Sequence, residues 1–352
     1  MSKQPSQNKA LQNDVNWENV ADYLRSQNLV VSNEPLEVDQ FSAGYSNLTY
    51  FIRVGEWQAV LRRPPFGPLP PKAHDMKREY VVLKKLNSVF PLAPKPYLFC
   101  EDTKVMERHF YVMEKKDGVV IDDSIPKQFE DISQAPQLIS NAVMETLTAL
   151  HSLDYKDAGL ENFGYPDGYL SRQVHGWIKR YSNCKTDEFT GVEALEKWLV
   201  DHIPASPAPT IVHNDFKLNN MMFAADNPSK VIGLFDWELS TIGDPLTDLA
   251  AALAYWAEEG EPYTGLTSVT AKPGFASRRE MLELYAKKSG RDVSNIDYYL
   301  TFAFYKVAVV LQQLYYRWKI GEAKDVRFQS LIIGIENLLK MAAKAQRKEL
   351  LK

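Results

Sequence analysis

Apolar residues recur along this chain with two different periods, and the switches between them divide it. Trp17, Val20, Ala21 and Leu24 return every three or four positions, the spacing that lines one face of a helix over 17–26. From about Leu36 the pattern becomes strand-like. The runs LEVDQFSAG, LTYFIRV and WQAVLRR are rich in β-branched and aromatic residues, with Gly44 and the turn-forming Gly55-Glu56 between them. Five prolines and one glycine in residues 64–75 predict a loop. Helical spacing returns over 76–88 with Tyr80, Leu83 and Leu86, and YLFCED and HFYVMEK predict two further strands. Five strands with one helix after the third make a small α+β unit that ends near Lys116.

Beyond that point the chain reads as helical. Ile139, Val143, Leu147 and Leu150 mark one long helix face, and further helices are expected near 170–182, 191–202, 245–257, 277–289, 294–319 and 327–346. Only IVHND and VIGLFDWE interrupt them with strand-like segments. The division this implies is a tail and helix over 1–35, a sheet-rich lobe over 36–116 and a mostly helical lobe over 117–352. The longest apolar cluster, Leu249 to Ala257, falls well short of the ~18 residues needed to cross a bilayer.

Composition narrows the class. The 352 residues are 45% hydrophobic and 24% charged, as expected of a folded globular protein rather than a disordered one. A formal net charge of −4 argues against nucleic-acid binding through a broad basic face. The charge is unevenly spread: residues 1–117 carry 16 Lys and Arg against 14 Asp and Glu, and the remainder 25 against 31. Such a split suits a protein that holds an anion with its first part and a metal with its second. Cys100 and Cys184 read as two reduced thiols. The opening MSKQPSQNKALQND has no apolar signal core, so the expectation is a cytoplasmic protein acting on a small molecule, without a nucleic-acid or membrane partner.

The strongest chemical signal is His213-Asn-Asp215-Phe-Lys-Leu-Asn-Asn220, followed 16 residues later by Asp236. Asp215 and Asn220 have the spacing of a kinase catalytic loop, H-x-D-x-x-x-x-N. Phosphoryl transfer needs a carboxylate that orients the attacking hydroxyl and accepts its proton, and a second oxygen ligand turned toward the metal. Asp236, ending the apolar run Val231 to Phe235, would supply the carboxylate for Mg²⁺. Upstream, Gly44, Ser46 and Asn47 lie in a turn between strands whose N–H groups and hydroxyl suit a phosphate, or which is an ordinary hairpin loop. Arg62 at the end of the third strand and Glu79 on the next helix match the cation–glutamate pair that positions phosphates in kinases. Arg63 is the alternative partner for Glu79.

These motifs resemble the aminoglycoside phosphotransferase (choline kinase-like) superfamily over about 36–340. Three stretches, FSAGYSNLTY, VLRRPPFGPLPPKAHDMKREY and FDWELSTIGDPLTDLA, are similar to the phosphotransferase domains fused to acyl-CoA dehydrogenases. The resemblance implies a bilobal kinase-like α+β fold with a small antiparallel-sheet lobe and a larger helical one. It also implies ATP and Mg²⁺, with Met113 and Glu114 as the hinge against the adenine, Asp215 as catalytic base, and Asn220 and Asp236 as metal ligands. Two positions depart from the usual pattern: Asn214 stands where the family has Gly, and Arg62 where many relatives have Lys. The implied substrate is a hydroxylated acyl thioester or acid, with Arg278-Arg279 and Lys287-Lys288 as the cations for its carboxylate or phosphates. The rivals are a kinase of an amine-bearing alcohol, suited to the acidic second lobe, and a nucleotide-binding pseudokinase.

Other residues read as structural. His213 braces the catalytic loop, Asp244 caps the helix that Pro245 opens, and His74 is a loop residue. Asp248 either stabilises that helix's dipole or holds the catalytic loop. The aromatic stretch 297–318 reads as core, and Glu258-Glu-Gly-Glu261 as a solvated loop.

Overall fold

The computed structural model describes residues 15–41, 47–65 and 75–351. The chain separates into two compact units, Met1–Asp117 and Gly118–Lys352.

The first unit is built on a five-stranded antiparallel sheet in the order β1-β2-β3-β5-β4: β1 Glu37–Gln40, β2 Leu48–Val54, β3 Trp57–Arg63, β4 Pro96–Cys100 and β5 Phe110–Met113. Alternation along the strands gives each face its own helix. Tyr50, Ile52, Leu61, Phe110 and Val112 join one apolar cluster with Val20 and Leu24 of α1 (Trp17–Ser26). Trp17 packs edge-on against Tyr50 with ring centres 5.1 Å apart. The helix expected over 17–26 is therefore part of this unit's core. Asn16 starts it by accepting from the N–H groups of Glu18 and Asn19 at 3.1 and 3.2 Å. α2 (Met76–Leu86) meets the opposite face, where Tyr80 stacks on Phe99 with ring centres 5.5 Å apart.

The second unit is mostly helical. Its main helices are α3 Ala135–His151, α4 Tyr169–Cys184, α5 Val192–Asp201, α6 Pro245–Tyr255, α7 Arg278–Ser289, α8 Ile296–Lys319 and α9 Leu331–Gln346. α8 is buried along most of its length and packs on α4, α6 and α9, as its run of apolar and aromatic residues requires. The capping box of Ser277 and Glu280 opens α7, and Gly290, at φ +65°, closes it in the left-handed conformation. α9 starts later than its periodicity predicts, because Asp325 accepts from the Arg327 N–H at 3.0 Å and holds 326–330 in a tighter turn.

Two small antiparallel sheets carry the loops that matter. One pairs β7 (Thr210–Val212) with β10 (Thr241–Gly243); the other has the order β6-β8-β9, from Val119–Val120, Met221–Ala224 and Asn227–Leu234. Strands β6, β8 and β10 were not among the expected elements, since two to four residues are too few to show a period. Gly118 is fixed by the same packing: a Cβ there would lie 2.3 Å from the Phe223 carbonyl oxygen. Among the described residues no helix is long and apolar enough to cross a membrane.

Candidate active site

The catalytic-loop motif fills the turn from β7 to β8. His213 is fully buried; its ring Nε2 donates to the Phe235 carbonyl at 2.9 Å and its Nδ1 accepts the Asp215 N–H at 3.3 Å. Those two bonds assign the neutral Nε2–H tautomer and make His213 a brace between the loop and the strand that leads to Asp236. Asn214 has φ +66°, a left-handed backbone that glycine adopts freely and asparagine tolerates better than most residues. That geometry explains why Asn can stand where the resembling family has Gly. Its side chain is used as well: Nδ2 donates to the Leu239 carbonyl at 3.0 Å, and Oδ1 accepts from Tyr169 at 2.8 Å.

Asp215 is held from two sides. The Asn220 amide nitrogen donates to its Oδ2 and to its backbone carbonyl, both at 2.9 Å, and Lys217 Nζ lies 2.9 Å from the same Oδ2. The Tyr255 phenol faces it too: burial first, then the charge of Asp215, push that phenol well above its ordinary range, so it stays protonated. The Asn220 carbonyl accepts the Phe235 N–H at 2.9 Å, which ties the loop to the segment carrying Asp236. Asp236 has φ +67° and ψ +58°, a strained conformation for a residue with a side chain, of the kind that collects at functional sites. With its amide nitrogen committed to Asp215, Asn220 can offer only its amide oxygen to a cation. Together with the Asp236 carboxylate this is a pair of hard oxygen donors, suited to an ion that completes its shell with water and phosphate. Among the described residues no cluster of three or more His, Cys, Asp or Glu could hold a metal by protein ligands alone.

Behind the loop, Asp248 on α6 resolves the two readings of its role. It is fully buried and accepts the backbone N–H groups of His213 at 2.5 Å and Asn214 at 2.7 Å, so it holds the catalytic loop. His151 approaches it with Nε2 at 3.4 Å, while Nδ1 faces the Tyr285 hydroxyl at 2.8 Å. Burial holds His151 below its ordinary value, so it meets Asp248 as a neutral hydrogen-bond donor. Burial works against the Asp248 charge, but the bonds from His151 and the loop outweigh it and hold the carboxyl below its usual range. Asp244 caps α6 through the Leu246 N–H at 2.9 Å and accepts from Tyr299 at 2.7 Å.

In the first unit, Arg62 Nη1 lies 3.1 Å from Glu79 Oε1, and both side chains are almost wholly buried. The neighbouring Arg63 points to the other face of β3 and donates to Tyr50 at 3.0 Å and the Pro64 carbonyl at 3.1 Å. Strand alternation thus assigns Glu79 to Arg62 rather than Arg63. Asn47 is buried just before β2, whereas Gly44, Ser46 and His74 lie outside the described residues. Met113 ends β5; Glu114 follows it and exchanges bonds with Lys95, N–H to carbonyl at 2.8 Å and carboxylate to N–H at 3.1 Å.

Three of the four cations expected to receive an acidic substrate have carboxylate partners, and the fourth, Lys287, is exposed on α7. Arg278 is only 1% exposed: it pairs with Glu258 at 3.1 Å, bonds Glu261 through both terminal nitrogens, and donates Nε to the Leu253 carbonyl at 2.8 Å. Arg279 pairs with Glu283 at 3.1 Å and Lys288 with Glu145 at 2.9 Å. The same contacts correct the reading of Glu258–Glu261 as a solvated loop: its two outer carboxylates hold a buried guanidinium. Lys217, Tyr255 and Lys306 are the residues that sequence reasoning missed. Lys217 stands inside the motif, two residues past Asp215, where its position was the available signal.

A five-stranded antiparallel sheet with α2 after its third strand, joined in sequence to a helical unit that carries this loop, defines a protein kinase-like phosphotransferase fold. The pattern of the phosphotransferase enzyme family matches residues 37–280, well over half of the chain, and the chain belongs to that family. It is 35% identical over 303 residues to acyl-CoA dehydrogenase family member 10 of Mus musculus, covering 85% of this chain and 28% of the relative. Its identity to family member 11 of Homo sapiens is 36% over 293 residues, 81% of this chain and 37% of the relative. The chain thus spans only about a third of the length of the curated relatives it matches. Among solved structures, a Ralstonia eutropha protein assigned as an aminoglycoside phosphotransferase superposes with a TM-score of 0.80 at 29% identity, covering 95% of this chain and 98% of that one. Choline kinase from Cryptosporidium parvum shares the fold, with a TM-score of 0.61 at 14% identity over 96% and 98% of the two chains.

Proposed function

We propose that this phosphotransferase moves the γ-phosphoryl group of ATP to a hydroxyl of a small molecule, with Mg²⁺ as the required ion. The observation that carries the reading is the double use of Asn220, whose amide nitrogen fixes Asp215 while its backbone carbonyl anchors the Asp236 segment. Asp215 orients the acceptor hydroxyl and takes its proton. Lys217, beside it, offers a positive charge to the transferring group. Asn220 Oδ1 and Asp236 would hold Mg²⁺, which when bound neutralises charge on the nucleotide phosphates. The Arg62–Glu79 pair, the residues Gly44, Ser46 and Asn47, and the Met113–Glu114 segment are assigned to the nucleotide. The presence of Asp215, Asn220 and Asp236 together favours an enzyme over a pseudokinase, which has no use for all three.

For the acceptor, the proposal is a hydroxylated acyl thioester or acid, supported by the relatives named for acyl-CoA dehydrogenases. The test is a competition with ATP and Mg²⁺ in which a hydroxyacyl-CoA, choline and an aminoglycoside are offered at equal concentration. Phosphate transfer to the hydroxyacyl compound is expected. Preference for either amine overturns the acceptor class, and transfer to none, extended by a metabolite screen without a product, overturns the kinase reading.

A further inference from the structure

Two cations of the second unit stand on one indole. Trp177 and Arg180 lie one turn apart on α4, with the guanidinium 4.6 Å from the centre of the Trp177 ring. Lys306 of α8 brings its ammonium to 5.6 Å from the same ring centre and to 3.2 Å from the carbonyl oxygen of Asn214, the residue before the catalytic base. Among the described residues neither cation has a carboxylate within salt-bridge distance, whereas Arg278, Arg279, Lys288 and Lys319 all do. Arg180 is exposed and Trp177 half-buried, so the two like charges meet where solvent reaches them, and an anion bound between them relieves their repulsion. Burial lowers the proton affinity of Lys306 most, the more distant carboxylates Asp248 and Asp215 raise it, and Arg180 lowers it least of the four.

We propose that Trp177, Arg180 and Lys306 form an anion subsite beside the catalytic loop, which takes carboxylate or phosphate oxygens of the phosphoryl acceptor. The inference rests on the acceptor reading above and gives it residues, since the cations expected at Arg278 and Lys288 are spoken for. Arg180 and Lys306 donate charge-assisted hydrogen bonds to the anion, and the indole packs against the carbons next to it. A cationic acceptor meets repulsion at the same place.

Calorimetry on the full chain tests this with 3-hydroxyhexanoate, its methyl ester and 3-hydroxyhexanoyl-CoA, against the wild type, Arg180→Gln and Lys306→Met. The expected result is that the acid or the thioester binds more tightly than the ester, and that each substitution weakens the bound anion about tenfold or more. Binding of the acid identifies a carboxylate as the occupant; binding of the thioester alone identifies the CoA phosphates. Three outcomes overturn the subsite: acid and thioester that both bind no more tightly than the ester, no binding of either anion, or an anion affinity that Arg180→Gln does not change. In the last case, a uniform loss across all ligands in Lys306→Met would mark Lys306 as a brace for the loop. ATP-dependent phosphorylation of the same compounds is measured separately. Binding without transfer leaves the subsite and removes the acceptor reading, and transfer that neither substitution affects does the reverse.

Discussion

The amide nitrogen of Asn220 sits 2.9 Å from both the backbone carbonyl and the Oδ2 of Asp215. With Lys217 on the same Oδ2, one oxygen of the carboxylate is held in place, and Oδ1 is the oxygen proposed to meet the hydroxyl. Asp215→Asn keeps the shape of the side chain but cannot accept a proton. Turnover should fall by about 10²–10⁴-fold, the contribution of a positioned acid–base group, while nucleotide affinity changes little. Steady-state kinetics with a nucleotide-binding titration measures both, and unaltered turnover would remove Asp215 from the mechanism.

Asp236→Ala separates metal binding from nucleotide binding. With the carboxylate gone, the affinity for Mg·ATP should drop by about tenfold or more while that for metal-free ATP stays nearly constant, because a hard cation is the main partner of the lost oxygens. Calorimetry with and without Mg²⁺ makes the comparison. Equal losses in the two conditions would make Asp236 a structural residue.

Arg278→Met should register as a loss of stability. It leaves Glu258 and Glu261 without their cation and the Leu253 carbonyl without its donor. Breaking a fully buried ion pair costs about 3–5 kcal/mol, and partial exposure of the two glutamates brings the expected loss to roughly 2 kcal/mol. Urea unfolding reads it out. Unchanged stability with a raised KM for an acidic acceptor would restore Arg278 as a substrate ligand.

The motif residues were legible because their chemistry fixes their spacing along a single loop. Asp215 and Asn220 must face one reacting group from neighbouring turns, and Asp236 must end a strand beside them. Arg62 was half-legible: the chain places two arginines at the end of β3, and only the pairing of sheet faces with α1 and α2 separates them. Lys306 was hidden inside an aromatic stretch whose period describes α8 as core, and its approach to Asn214 is a long-range contact without a local signature. Arg278 failed in the opposite sense. Its charge suggested solvent or substrate, and the carboxylates that bury it come from a segment 17 and 20 residues upstream. Asp248 remained open between two roles until the N–H groups of His213 and Asn214 were seen to end on it.

Stability should also depend on pH through His151. Its folded value is below the ordinary 6.5, so between the two values the unfolded chain binds more protons than the folded one. The stabilisation is complete above about pH 6.5 and declines as pH falls through that value. Asp248, held low, adds a further loss only in the more acidic carboxylate range. Urea midpoints taken from pH 8 to pH 5 should therefore fall on the acid side, with a smaller fall in His151→Gln. The same slope in both proteins would assign the effect to other groups.

The backbone at Asn214 also constrains how this loop can evolve. Asparagine and glycine, the two residues suited to its left-handed turn, are more than one base change apart, so a lineage passing between them must cross an intermediate. Aspartate keeps the turn, but it cannot donate to the Leu239 carbonyl and would bring another negative charge close to Asp248. Serine surrenders the bridge from Tyr169 to Leu239 and strains the backbone. Either step weakens the support of the loop that carries Asp215. Of these residues asparagine alone combines a tolerated left-handed backbone with the bridge from Tyr169 to Leu239.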